Sequence, residues 1–279
     1  MKKLIGLILF ILLIFLIIKF DNTKIIILNN IDIWIKYIVV SIGPTFIISN
    51  LLYQFPFISF IFYPILKKIM HFENQKACSL FLLSILTGNP TISLLISSAY
   101  QNNEITKKEA NRLLCFTSHV SFIFIINFFN FNIGIKIIII QILSSIIISL
   151  FLNNNINQDT FIIKKNHSSF IEKTPILLFN VLIIICITSF IKLFLSSFIK
   201  NSFFLNTFNF LELTTGLLNF KNNFLLSNLL ISFNGLAIIL QTFLNIKKTD
   251  LSFNQFLIFR FIHMFISTIL SLFVINFLM

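Results

Sequence analysis

Two short polar sequences interrupt long apolar runs in this chain, and both carry side chains that could bind a small solute. Gly and Pro break helices, while hydroxyl and carboxamide groups donate and accept hydrogen bonds. A helix amino terminus freed by such a break also attracts anions. The alternative is a pair of ordinary kinked helices in which glycine permits close packing. We predict a substrate-binding site for a polar solute, neutral or anionic, formed by Thr87, Gly88, Asn89, Pro90 and Thr91 with Ser232, Asn234, Gly235 and Gln241.

Glu212 and Arg260 are charged residues within apolar segments. Charges are costly in a membrane and usually functional there. Glu212 could carry a coupling proton or cation, and we predict that it forms a charged pair with Arg260. The alternatives are an interfacial position for Glu212 and an Arg260 side chain that extends to the interface. His119 could line a polar path or be a satisfied buried histidine.

Signatures of catalysis are missing from the sequence. The histidines have no metal-ligand spacing, and neither a Gly-x-Ser-x-Gly elbow nor a phosphate-binding loop occurs. The three cysteines are isolated in apolar surroundings, which is typical of buried thiols. We therefore predict no metal, no cofactor and no enzyme activity. The histidines are His71, His119, His167 and His263, and the cysteines are Cys78, Cys115 and Cys186.

The composition identifies an integral membrane protein. Of 279 residues, 57% are hydrophobic and 11% are charged, whereas soluble domains carry roughly 25% charged residues. The mean hydropathy is +0.97. The net charge of +12 comes from Lys and Arg in short loops, so it predicts anionic lipid headgroups rather than nucleic acid as partners. Further predicted partners are a small polar solute and a second copy of the chain.

The apolar runs predict one transmembrane domain, 1–279, built of helices. Thr106 and Glu109 have the spacing of a capping box, which predicts a helix over about 110–130. The Gly43-Pro44 pair predicts a kink in the second span. The predicted spans are 4–18, 33–53, 136–152, 175–199 and 255–277; the short or broken pieces are 55–66 and 203–220; the interrupted hairpins are 77–100 and 224–244.

The order of these elements repeats along the chain, which indicates an internal duplication. Span 33–53 matches 175–199, hairpin 77–100 matches 224–244, and 110–130 matches 255–277. Counting crossings from a cytoplasmic amino terminus, the second unit enters from the opposite face of the cell membrane. The predicted fold is therefore all-α and polytopic, with two inverted repeats that each hold a re-entrant hairpin. The predicted parts are 1–32, the first helix and loop; 33–130, repeat one; 131–174, a connecting helix and polar loop; and 175–279, repeat two.

Several motifs together resemble the sporulation integral membrane protein YlbJ family, which is related to the nucleoside-recognition, or Gate, membrane domain. The resemblance covers most of the chain from about residue 40, and it implies a role in spore formation and a nucleoside-like ligand. Two departures stand out: Asn89 precedes the proline, and 116–121 lacks an Asn-Pro pair, which predicts an unbroken helix there. The motifs are Leu82–Pro90, Ile105–Thr117, Glu212–Gly216, Ile231–Gln241 and Arg260–His263.

These features predict a protein that transports or senses a small polar solute between the two hairpins. The main rival is a scaffold without transport activity that recruits envelope-building proteins through polar loops such as 153–173. A lipid-modifying enzyme is a third hypothesis, which would require a polar cluster open to the headgroup layer.

Overall fold

A computed structural model describes residues 2–55, 57–152, 170–199 and 201–278, and this part of the chain is helical with no strand. Most of the polar connection 153–173 therefore lies outside the described residues. The α-helices are α1 (Lys2–Ile18), α2 (Phe20–Ile33), α3 (Val40–Gln54), α4 (Phe57–Met70), α5 (Gln75–Thr87), α6 (Thr91–Gln101), α7 (Lys107–Phe116), α8 (Phe122–Phe128), α9 (Phe131–Phe151), α10 (Phe170–Phe198), α11 (Ser202–Thr207), α12 (Leu213–Phe220), α13 (Phe224–Phe233), α14 (Gly235–Ile246) and α15 (Phe253–Leu278).

Five helical segments among the described residues are long and apolar enough to cross a membrane, which agrees with a multi-pass membrane protein. The fold class is thus helical, as predicted. The five segments are Phe20–Gln54, Phe131–Phe151, Thr174–Phe198, Phe224–Ile246 and Phe253–Asn276.

The longest of these segments joins α2 to α3 through a π-helical stretch, Trp34–Val39. The loop predicted before residue 33 is therefore wrong, since α2 occupies it. Pro44 is accommodated inside α3. This segment packs on α10 in the opposite direction: the Ser189 hydroxyl donates to Asn30 at 3.4 Å, and the Trp34 indole donates to the Leu178 carbonyl at 3.0 Å.

Helices α5 and α6 form a hairpin whose two ends lie together. Asn74 caps α5 and also donates to the Glu104 carbonyl at 3.0 Å, while the Thr106 hydroxyl donates to Glu73 at 2.8 Å. We call this end of the molecule the Glu73 end. Helix α5 runs away from it to Gly88, and α6 returns after a cis Asn89-Pro90 peptide. The two half-helices predicted within 77–100 are confirmed.

The single helix predicted over about 110–130 is wrong, because the chain leaves helical geometry between α7 and α8. Although no Asn-Pro pair is present, polar side chains stabilise the break. The Thr117 and Ser118 hydroxyls donate to carbonyls one turn earlier, and Ser121 caps α8 by accepting from the Phe124 amide at 3.2 Å. Side-chain bonds to the backbone of this kind compete with a continuous helix.

The second hairpin lies earlier in the chain than predicted. Helix α12 folds back against the turn Phe208–Phe210, where the Asn219 amide donates to Asn209 at 2.7 Å. The turn between them is at Leu211 and Glu212. Helix α12 then leads to Lys221, whose ammonium lies 5.6 Å from the Phe128 ring, at what we call the Phe128 end. Helix α12 therefore folds back on Phe208–Phe210 and finishes away from the Glu73 end.

The segment 224–246 crosses the molecule instead of folding back. Helix α13 starts next to Lys221 at the Phe128 end, and α14 finishes at the Glu73 end, where Asp250 accepts hydrogen bonds from Lys107 at 2.6 Å and Tyr100 at 2.7 Å. These two hydrogen bonds hold the pKa of Asp250 below its usual value. The hairpin predicted at 224–244 is thus a broken through-helix.

One predicted pairing of the repeats, 110–130 with 255–277, does not fit these helix directions. The Ser252 amide donates to Asn111 at 2.8 Å, and Arg260 donates to the Ser118 carbonyl, so α7 and α15 run in parallel. Matched helices of an inverted repeat would run in opposite directions. Opposite directions are instead found for α7–α8 against α13–α14 and for α9 against α15, where Gln141 contacts Ser267 at 3.2 Å and Ser145 contacts His263 at 3.5 Å.

Candidate functional site

Four breaks in the helices meet near the centre of the molecule. We call them the first break (88–90), the second break (117–121), the third break (211–212) and the fourth break (234–235). The Asn89 amide donates to the His119 carbonyl at 2.8 Å, and the Ala237 amide donates to Leu211 at 2.9 Å. The Asn234 side chain donates to the Ser118 carbonyl at 2.6 Å. Each hairpin turn therefore contacts the break of a through-helix, and the two through-helices contact each other.

Two glycines permit these close approaches. Gly88 has a φ of +62°, and a Cβ there would collide with the backbone nitrogen of Ser121. Gly235 has a φ of +69°, and a Cβ there would lie 3.0 Å from the Leu213 nitrogen. Other residues adopt this backbone region at a cost. The predicted roles of the two glycines as break residues are consistent with this geometry.

A small cleft lies between the breaks, and we call it the central cleft. Its free volume, measured as the space open to the centre of a water molecule, is about 30 Å³, which is room for roughly two waters. Most of the lining is apolar and includes α10 and the π-helical stretch. The polar side chains in the lining are Asn89, Ser121, Glu212, Thr214 and Gln241.

Among the described residues that line the central cleft, Glu212 is the only one with a charged side chain. It is 4% exposed and caps α12, where it accepts from the Thr214 amide at 2.8 Å and the Thr215 amide at 2.6 Å. Two amide donors at a helix amino terminus stabilise a carboxylate in this position. The cleft therefore presents a fixed acidic group.

Asn89 and Gln241 supply unused hydrogen-bonding capacity to the central cleft. Asn89 is 4% exposed, and neither its side-chain oxygen nor its nitrogen has a partner. The side-chain oxygen of Gln241 is also without a partner. Buried polar groups are nearly always hydrogen-bonded in native proteins, so these unpartnered groups are available to a water or a ligand in the cleft.

The other predicted site residues are placed differently. Pro90 lines the central cleft, whereas Thr87 donates to the Leu83 carbonyl at 2.9 Å within α5. Thr91 is fully buried and is not part of the lining. Ser232 faces α9 and α15, where it receives a hydrogen bond from Gln141 at 2.8 Å. Asn234 and Gly235 shape the fourth break without lining the cleft.

The predicted Glu212–Arg260 pair is not formed in this structure. The ion pairs among the described residues are Lys36–Asp32, Lys107–Asp250 and Arg112–Glu109. Arg260 is fully buried and donates to the Ser118 carbonyl at the end of α7, where a cation stabilises the helix dipole. The Glu212 carboxylate is instead bound by amides of its own helix, so the two charges act on different breaks.

A buried polar network behind the second break was not predicted. The His119 ring contacts the Ser84 hydroxyl at 3.1 Å and the Ser145 hydroxyl at 3.3 Å. One turn earlier on α9, the Gln141 side chain donates to Asn228 at 2.9 Å and to Ser267 at 3.2 Å. The signal in the sequence was the polar face of α9, where polar residues recur at helical spacing. The residues of this face are Gln141, Ser144, Ser145 and Ser149.

Comparisons of the chain with protein-family models, with curated proteins and with solved structures find no match.

Proposed function

We propose that this protein binds a small polar solute in the central cleft and moves it across the membrane. The single observation that supports this most is the convergence of four helix breaks on a cleft that holds a buried carboxylate and unpartnered amide groups. Broken helices in lipid are tolerated where they line a cavity or are buried in protein. Secondary transporters use such breaks near the bilayer midplane to bind substrates and ions.

The proposed solute is neutral or cationic. Glu212 is the only charged group in the lining, and a desolvated anion beside it would be repelled. Asn89 offers a donor and an acceptor, and Gln241 offers an acceptor. A nucleoside-like solute, which the family resemblance implies, has matching hydroxyl and amide groups. The anionic solute considered from the sequence is disfavoured on this charge argument.

We also propose that two inverted units, 75–151 and 202–278, support alternating access. Each unit would contain a hairpin, a broken through-helix and a final unbroken helix. The first hairpin finishes at the Glu73 end and α12 finishes at the Phe128 end, so in this proposal each hairpin would be re-entrant from its own side of the membrane. Because the cleft holds about 30 Å³ in this conformation, a solute larger than roughly two waters requires a hairpin to move.

The family resemblance adds a role in spore formation to this proposal. A host strain that lacks the gene is then expected to form fewer heat-resistant spores, and the intact gene is expected to restore them. A spore count equal to that of the parent strain would argue against this part alone, since transport is measured separately.

Flux measurements in reconstituted vesicles test the transport proposal. We expect Asn89→Leu and Glu212→Gln each to lower uptake of the transported probe at least about tenfold, since each removes a group that contacts solute. Uridine, choline and phosphate serve as neutral, cationic and anionic probes. Asn254→Leu and Asp21→Asn are matched controls on exposed positions and should keep full uptake.

Two outcomes would contradict the proposal. The first is wild-type uptake in both cleft variants while the protein remains inserted. The second is selective uptake of phosphate, which would reject the assigned charge of the solute.

A further inference from the structure

A second cavity shares no lining residue with the central cleft and lies behind the first hairpin. It encloses about 190 Å³ between the end of α3, the start of α4 and the outer face of α5. An apolar cavity of about 150 Å³ is enough to bind benzene in a soluble protein. The residues that line it include Leu52, Phe55, Ser79, Leu82 and Leu86. We call this space the α5 cavity.

The chemistry of the α5 cavity favours a hydrocarbon chain over water. Six of the eight residues that line it are Leu, Ile or Phe. The Ser79 hydroxyl is already used, since it donates to the Gln75 carbonyl at 3.1 Å. A buried water needs two to four polar partners. Phe55 and Leu86 at its edge are exposed on the apolar surface that faces the bilayer, so acyl chains have direct access.

Basic side chains lie at the Glu73 end of the same helices. Lys76 lies one turn before Ser79 on α5, with its ammonium 4.4 Å from the Tyr53 ring and 3.2 Å from the Tyr53 carbonyl. Lys67 and Lys68 are exposed in the last turn of α4, which the turn 71–74 connects to α5. Lysine and tyrosine at such a position are typical of the headgroup layer, where lysine attracts anionic lipid.

We propose that the α5 cavity binds one acyl chain of an anionic phospholipid whose headgroup contacts Lys76 with Lys67 and Lys68. The cavity accounts for the chain, and the charge at its membrane-surface end accounts for the headgroup. Because α5 ends at Gly88, the bound chain supports the rear of the first hairpin. This lipid site does not depend on what occupies the central cleft.

Native mass spectrometry of the purified full chain tests this site, with dioleoyl phosphatidylglycerol and dioleoyl phosphatidylcholine as probes. We expect one phosphatidylglycerol to be retained per chain and phosphatidylcholine to be retained less. Lys76→Gln should weaken retention about fivefold. Leu86→Trp and Ser79→Leu, which fill the cavity from different positions, should weaken it about tenfold or more.

Two matched variants control for charge and for bulk. Lys247→Gln removes an exposed lysine at the same end, and Leu240→Trp enlarges an exposed leucine outside the cavity, so both should retain lipid as the wild type does. Thermal unfolding identifies any variant that fails to fold, and the remaining variants then decide the question. Equal retention in all variants, equal retention of the two phospholipids, or retention of only detergent or free fatty acid would overturn the proposal.

Discussion

At the scale of single residues, the central cleft depends on groups that the surrounding helices leave unpaired. Asn89 has no side-chain partner, although its backbone amide is fixed by the His119 carbonyl at 2.8 Å. Glu212 is held by two amides of α12 and still faces the cleft. The backbone thus positions each group, while its side chain stays available to a ligand. Such positioning depends on Gly88, because its neighbour is backbone that cannot move aside.

Gly88→Ala should destabilise the protein by roughly 2–4 kcal/mol, since the alanine would adopt a left-handed conformation and its Cβ would collide with Ser121. Thermal unfolding of the detergent-purified protein measures the effect. Gly6→Ala is the matched control, because nothing lies within 4 Å of a Cβ at that position. Equal melting temperatures for the two variants would show that the first and second breaks do not pack as described.

At the scale of elements, hydrogen bonds between buried polar side chains connect the broken helices to their neighbours. Gln141 on α9 donates to Asn228 and Ser232 of α13 and to Ser267 of α15. The Asn228 side chain also donates to Ser271 at 2.6 Å. These bonds join α9, α13 and α15 on the side of the fourth break away from the cleft. In a bilayer, hydrogen bonds and close packing replace the hydrophobic effect as the force between helices.

A double-mutant cycle between Gln141→Ala and Ser267→Ala should give a coupling free energy of about 0.5–1.5 kcal/mol, because the two side chains share one network. Unfolding by sodium dodecyl sulfate in mixed micelles provides the free energies. The cycle of Gln141→Ala with Thr268→Ala is the control, since the Thr268 hydroxyl bonds only to its own helix at Met264 among the contacts described. Additive effects in both cycles would refute the inferred hydrogen-bonded connection between α9 and α15.

At the scale of the whole molecule, the direction of each segment decides which parts share an end. The turns 101–106 and 247–252 lie together through Asp250, which accepts from Tyr100 and Lys107. Lys221 lies at the opposite end beside Phe128. Helices α6 and α12 therefore finish at different ends of the molecule, an arrangement compatible with the proposed alternating access.

Cysteine labelling in sealed vesicles tests these directions. In a background without Cys78, Cys115 and Cys186, we expect Gln101→Cys and Lys248→Cys to react with an impermeant maleimide from one side, and Asn222→Cys from the other. All three positions are exposed. The repeat pairing predicted from the sequence places 101 and 248 on opposite sides, so labelling of that kind would contradict the structure.

The local sequence was sufficient to predict most helices and the position of the first break. The glycine and proline around Asn89 break a helix wherever they occur, and the capping residues Asn74 and Thr106 act on their own turns. Glu212 was recognisable as a buried carboxylate because few other acidic residues lie in apolar segments. Of the predicted polar site residues, Asn89 and Gln241 line the cleft, while Ser121 and Thr214 were missed.

The sequence by itself determined that this chain is a membrane protein of broken helices, because apolar content, helix breakers and caps act locally. Only the tertiary structure decided which segments fold back and which cross. A hairpin and a broken through-helix can have the same apolar pattern and the same Gly or Asn at the break, so periodicity cannot separate 75–101 from 224–246. The difference lies in contacts between distant residues, such as Asn111 with Ser252, which fix direction and so determine which polar groups meet.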